Sequence, residues 1–312
     1  MKILQLDKNH PLISQQLTEK GFVVEEDSVS SYDEVLEKIK NYQGIIIRSR
    51  IPLDKNFLEK SSHLKFIARV GAGMENIDTE TAKKLNIELI NSPEGNRDAV
   101  AEHVLGMLLV LMNRLFIASN EVKNGIWKRE ENRGDELLGK TFGIIGYGNM
   151  GKAVAKRLSG FGCKVIFYDI VPNLSNEFAT QVSLDELKKQ ADILSLHIPI
   201  TPETFHLIDA ELISEMKKDF YLVNTARGKN VKTKDMVAAI KSGKIKGAAL
   251  DVLEYEKSSF ENLDASDRNE NEDLRFLLDS EKVIVTPHIA GWTVQSKEKL
   301  AQFIVDKILQ KF

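Results

Sequence analysis

The chain carries one cysteine, Cys163, in 312 residues, too few for a disulfide framework or a cysteine-rich metal site, and no metal is expected. Within SGFGCKVIFYD that thiol reads as a small packed side chain. Also missing is any run of about 18 apolar residues, which excludes an ordinary membrane-spanning helix. The apolar stretch in MKILQLDKNHPL is too short for a secretory core, so a cytoplasmic location without a membrane partner is expected. Base is not in excess: 43 Lys and Arg stand against 46 Asp and Glu, a net charge of -3, and no basic patch invites a nucleic acid. Repeats and low-complexity tracts are absent too, which leaves a globular chain long enough for about two domains.

What the chain does have is a steady alternation of short β-branched runs with amphipathic segments. The runs are KILQL, GIIIRS, LKFIARV, IELINS, TFGIIGY, KVIFYDI, DILSLHI, YLVNTA, KGAALDV and KVIVTPH. Four to six apolar residues without alternation suit strands covered on both faces, and helical segments between them imply βαβ units. About ten parallel strands exceed a comfortable open sheet. The expected fold class is therefore α/β, with two doubly wound parallel-sheet domains. A helix over about 96–123, apolar nearly all round, marks the boundary and should be buried between domains or subunits, with His103 a packed or capping side chain. The polar, acidic stretch ENLDASDRNENED within 255–281 reads as a solvated loop between two strands.

Gly146, Gly148 and Gly151 have the spacing G-x-G-x-x-G, follow the strand GKTFGIIG, and open a helix with Val154, Leu158 and Phe161 on one face. A second strand then ends in Asp169. In such a unit the glycines allow a tight turn, close approach of backbone N–H groups to a pyrophosphate, and close helix packing. Asp169 can hold both adenosine ribose hydroxyls and repel a 2'-phosphate, which favours NAD over NADP. Some 140 residues of βα pattern precede this motif, so the nucleotide domain is expected to be inserted. The boundaries are 1–96 and 288–312 for the substrate domain, flavodoxin-like, and 97–287 for the Rossmann domain.

The motifs ARVGAGMENID, NSPEGNRDAVAEHVLGMLL, GKTFGIIGYGNMG, SLHIPITPET, VNTARGKNV, GAALDV and TPHIAGWT stand in one order over essentially the whole chain. In this the chain resembles the D-isomer-specific 2-hydroxyacid dehydrogenase family, most closely its short D-3-phosphoglycerate dehydrogenases without a regulatory domain. Moving a hydride from the carbinol carbon of a 2-hydroxy acid requires a base, a cation for the carboxylate and an acid to set the base. The resemblance makes His288 the acid/base and Arg227 the cation. Asp251, Glu254 and Glu256 all compete to be the acid. The family's spacing picks Glu256, leaves Asp251 facing the nicotinamide side, and makes Glu254 a solvated turn residue. Where the family commonly has Pro after that Glu, this chain has Lys257, which removes a fixed φ.

The resemblance further implies a cofactor site of Gly146, Tyr147, Gly148, Asn149, Met150, Gly151, Asp169, His197, Pro199, Thr204, Thr225, Ala226, Arg227, Asp251, His288, Ala290 and Gly291. It implies a substrate site of Arg48, Ser49, Arg69, Val70, Gly71, Ala72, Gly73 and Asn96. Gly71, Ala72 and Gly73 could offer successive N–H groups as an anion nest. Arg48 and Arg69 beside them exceed what glyoxylate needs, which favours oxidation of 3-phosphoglycerate to 3-phosphohydroxypyruvate, in serine biosynthesis, by a homodimer. The alternatives are a glyoxylate or hydroxypyruvate reductase using the same residues and, in another class, an NAD-sensing corepressor-like binding protein.

Overall fold

A computed structural model describes residues 1–256 and 271–312. The chain forms two compact units, Met1–Arg97 with Trp292–Phe312, and Asp98–Gly291. The return to the first unit comes at Trp292 rather than at 288, because residues 288–290 are hydrogen-bonded to Asp251 of the second unit.

The first unit is a five-stranded parallel sheet in the order β2-β1-β3-β4-β5, built from β1 (Lys2–Gln5), β2 (Val23–Glu26), β3 (Gly44–Ile47), β4 (Phe66–Arg69) and β5 (Glu88–Asn91). All four β3 residues are buried, as a strand covered on both faces requires. The last helix, Val294–Lys311, buries Ala301, Ile304, Val305 and Ile308 against Ile3, Ile13, Ile46 and Phe66 of this unit.

The second unit holds β6 (Thr141–Ile145), β7 (Lys164–Tyr168), β8 (Thr180–Gln181), β9 (Ile193–Leu196), β10 (Phe220–Asn224), β11 (Ile245–Leu250) and β12 (Val283–Val285). These pair in parallel in the order β12-β11-β10-β9-β6-β7-β8. The order reverses direction between β6 and β9, the point at which doubly wound sheets open a crevice beyond their carboxyl ends.

Three expectations need correction. The helix over 96–123 is two helices, Pro93–Met112 and Leu115–Lys123, bent by 60° where Arg114 takes a left-handed backbone. The first packs Val104, Leu108 and Met112 into the core of the second unit, whereas the second buries none of its residues. Within the acidic stretch, Asn271 caps a helix at Glu272–Asp279 whose Leu274 and Leu277 are buried, so its end is structured rather than a solvated loop. Residues 257–270 of that stretch, Lys257 included, lie outside the described residues. The edge strands β2 and β8 are additions to the runs read from sequence.

Candidate active site

The nucleotide end of the second unit is built at the β6/β9 reversal. Gly146 has φ of 91°, and a Cβ there would stand 2.5 Å from the His197 carbonyl oxygen; at Gly151 it would stand 2.2 Å from that of Gly146. Both are glycine because backbone approaches backbone. Among the described residues, a Cβ on Gly148 would meet nothing within 4 Å and no side chain caps the first N–H groups of the helix Asn149–Leu158. That is the room and polarity a pyrophosphate needs. Exposed Asn149 and half-buried Met150 follow on the first turn.

Asp169, at the exit of β7, accepts from Tyr147 N–H at 2.6 Å and from Val171 N–H at 2.9 Å. It thus clamps the glycine turn to the neighbouring strand. Tyr147, expected at the cofactor, is instead a core residue: its buried ring stacks on Phe167 at 3.7 Å and its hydroxyl donates to Asn176. His197 pairs through Nε2 with the Ser195 hydroxyl at 3.0 Å, and desolvation pushes its pKa down to about 4, so the ring is neutral. The loop after β9 closes on itself, with the Thr204 hydroxyl donating to Pro199 O at 2.7 Å. The Thr225 hydroxyl is buried without a partner among the described residues, an orphan that a bound cofactor would satisfy. NAD therefore fits these residues. Replacing Asp169 by alanine should raise NADPH use relative to NADH, read as the ratio of kcat/KM values; an unchanged ratio would remove Asp169 from that role.

Three adjacent strands place the chemistry. Asn224, Leu250 and Val285, the last residues of β10, β11 and β12, are in register, so the segments beginning at Thr225, Asp251 and Thr286 leave the sheet at one level. At the first exit Asn224, buried and absent from the sequence reading, accepts from Ala226 N–H at 3.0 Å and donates to Arg227 O at 2.9 Å. It shapes the turn that presents Arg227, whose Nη1 donates to Ala226 O at 2.7 Å. A Cβ at Gly228 would fall 1.9 Å from Leu253 O, so this turn lies against the next one.

In that next turn Glu256 folds back on Leu253. Its N–H donates to Leu253 O at 3.2 Å and its Oε1 accepts from Leu253 N–H at 2.5 Å. Its Oε2 stands 2.8 Å from Nδ1 of His288. This reciprocal turn holds Glu256 without the proline that Lys257 replaces. His288 itself has φ of 54°, an uncommon backbone for a residue with a Cβ. Its N–H donates to Asp251 O at 2.8 Å and Thr286 O at 3.0 Å, which holds the strained residue in place.

The other two acids of DVLEYE have partners of their own. Asp251 is 1% exposed, and accepts from the Thr286 hydroxyl at 2.6 Å, Ile289 N–H at 2.8 Å and Ala290 N–H at 2.8 Å. Its carboxylate thus stands under the His288 segment, whose next residue is Gly291. His103 approaches the same cluster, 3.0 Å from the Thr286 hydroxyl and 3.6 Å from Asp251.

Glu254 is no solvated turn residue: it accepts from Thr233 N–H at 2.8 Å and lies 2.7 Å from Nε2 of His206. Burial alone would raise its pKa, but the Thr233 and His206 hydrogen bonds hold it below the usual range. A depressed folded pKa gives stability that is present above the unfolded value, about 4.3, and lost as pH falls through the folded one. Glu254→Gln should therefore lose about 1 kcal/mol at neutral pH, a deficit that shrinks in denaturant titrations at progressively lower pH.

In the first unit, Arg48 leaves β3 beside the end of β1, where the strand order reverses. Its N–H donates to Asp7 Oδ2 at 2.6 Å, and its carbonyl accepts from Arg69 Nε at 3.3 Å. Half-buried Ser49 follows it. Buried Val70 donates its N–H to Ile47 O, tying the next turn to β3. Gly71 has φ of 155°, and a Cβ there would collide with the Arg69 guanidinium at 1.7 Å. The expected three-donor nest is reduced to two, because Gly71 N–H already donates to Arg69 O at 2.9 Å. Ala72 and Gly73 retain theirs among the described residues, and Asn91 Nδ2 holds the turn through Ala72 O at 2.7 Å. Asn96 Oδ1 is buried and has no partner among the described residues.

Residues 105–290 match the family model for the NAD-binding domain of D-isomer-specific 2-hydroxyacid dehydrogenases. The chain belongs to this family. A hydroxypyruvate reductase of Thermotoga maritima is 36% identical over 279 residues, 89% of this chain and 88% of that protein. A D-3-phosphoglycerate dehydrogenase of Methanocaldococcus jannaschii is 37% identical over 317 residues, covering 100% of this chain but 57% of that longer protein. Among solved structures, a D-lactate dehydrogenase of Aquifex aeolicus complexed with NAD and lactic acid superposes with a TM-score of 0.84 at 32% identity, over 100% of this chain and 95% of that one. The second unit is thus the NAD-binding domain of a 2-hydroxyacid dehydrogenase.

Proposed function

We propose that the protein interconverts a D-2-hydroxy acid and its 2-keto acid, with 3-phosphoglycerate and 3-phosphohydroxypyruvate as the pair. The observation that carries the chemistry is the 2.8 Å contact between Glu256 Oε2 and His288 Nδ1. With Nδ1 committed to a carboxylate, proton exchange with the substrate hydroxyl falls to Nε2. Glu256 orients the ring and stabilises the imidazolium once the proton has arrived. Bound NAD supplies the hydride acceptor. Arg227, presented by the Asn224 turn, grips the carboxylate and polarises the 2-oxygen as it becomes a carbonyl. In reduction the same residues act in reverse, His288 giving its proton to the carbonyl oxygen.

A phosphorylated substrate is supported by the two arginines gathered at the Gly71 turn. The anion-binding set is assigned to Arg48, Arg69, Ala72, Gly73 and Asn96. A second reading, reduction of hydroxypyruvate or glyoxylate, is favoured by the likeness to the Thermotoga reductase along nearly its whole length. A homodimer is part of the proposal, supported by the helix Leu115–Lys123, whose neighbourhood exposes Phe116 by 68% and Trp127 by 78%.

Lysine in place of Arg227 keeps the charge and loses the planar fork. Arg227→Lys should lower kcat/KM for the keto acid on the order of 100-fold; a value equal to the wild type would take Arg227 out of the mechanism.

A further inference from the structure

Trp292, one of two tryptophans in the chain, is 66% exposed where the chain re-enters the first unit. Such exposure of a large ring calls for a reason. Its backbone is fixed by the capping box that follows, in which Thr293 N–H donates to Ser296 Oγ at 2.9 Å and Ser296 N–H to Thr293 Oγ1 at 3.0 Å. A residue preceding such a box often staples an apolar side chain one turn into the helix, but here that position is Lys297. The ring instead faces the Arg48 guanidinium, whose carbon is 4.6 Å from the ring centroid.

Arg48 is otherwise held only through its backbone, by Asp7 and Arg69, and its side chain has no carboxylate partner among the described residues. The nearby Arg50 is the contrast: its guanidinium is spent on the carbonyls of Leu6, Ser30 and Asp27. Stacking engages the face of a guanidinium and leaves its five N–H donors in the plane, aimed outward. An arginine held over a ring in this way keeps N–H donors for an oxyanion.

We propose that Trp292 is a positioning residue for the anionic end of the substrate, acting through Arg48. This rests on the assignment of Arg48 to substrate binding made above. The ligand chemistry is a carboxylate or phosphate oxyanion carried by a 2-hydroxy or 2-keto acid. A bulkier dianion gains more from a fixed guanidinium plane than a short monoanion does, so Trp292 favours phosphorylated over unphosphorylated acids.

The test is calorimetric binding of 3-phosphoglycerate to the full chain, with steady-state reduction of phosphohydroxypyruvate and glyoxylate alongside. Trp292→Leu should weaken 3-phosphoglycerate about three- to tenfold, with the kinetic loss in KM rather than kcat and smaller for glyoxylate. Trp292→Phe should recover most of it. In an Arg48→Ala background Trp292→Leu should add less than about twofold, since coupled residues are non-additive. Equal weakening by Trp292→Leu with and without Arg48 would overturn the proposal, as would unchanged binding in Trp292→Leu, or no binding by the wild type. Binding that weakens as stated in a protein that turns over none of these acids would sustain the positioning role while refuting the proposed reaction.

Discussion

Replacing His288 by asparagine should lower kcat for keto-acid reduction by about 10²- to 10⁴-fold, the usual contribution of a positioned acid or base, and leave NADH affinity little changed. Asparagine is the right substitute because the backbone here has φ of 54°, and asparagine tolerates the left-handed region better than most residues. The hydrogen bonds from this N–H to Asp251 O and Thr286 O can then persist. What is lost is the imidazole alone, so a fall in kcat without a fall in thermal stability isolates the chemistry. If instead NADH binding collapses and kcat per bound cofactor survives, His288 is a cofactor residue and not the acid/base.

Asp251→Ala should be the most destabilising change in the site, on the order of 3 kcal/mol. Three donors, the Thr286 hydroxyl and the N–H groups of Ile289 and Ala290, would lose a buried carboxylate together. The damage should not stop at stability. The segment that Asp251 holds carries the strained His288, so Nε2 would lose its fixed position and kcat should fall as well. Urea denaturation and kinetics on the same preparation check both parts. A stable variant of normal kcat would show that the segment holds itself.

Legibility in the sequence followed burial and chain distance. Strands covered on both faces, such as β3 and β6, announce themselves as apolar runs. The edge strand β2 does not, because three of its four residues are exposed. The long apolar helix looked continuous because composition says nothing of the left-handed turn at Arg114. Motifs at strand exits singled out His288, Arg227 and Glu256, and of these the structure puts His288 and Glu256 in contact. Glu254 was misjudged because its partner comes from a remote segment, and the partners that hold Asp251 are no nearer in sequence. Thr286 is 35 residues from Asp251 and His206 is 48 from Glu254, distances across which spacing carries no signal. Asn224 could have been suspected as a polar residue ending an apolar strand just before the TARG turn. Trp292 could have been suspected as a rare ring four residues after His288.

The most direct measurement is NADH oxidation by the full chain with phosphohydroxypyruvate, hydroxypyruvate and glyoxylate in turn, with chiral analysis of the hydroxy-acid products. Turnover is predicted, phosphohydroxypyruvate giving the highest kcat/KM and the chiral products having the D configuration. Tight NADH binding with no turnover of any of the three would contradict acid–base chemistry at His288 and point to an NAD-sensing protein.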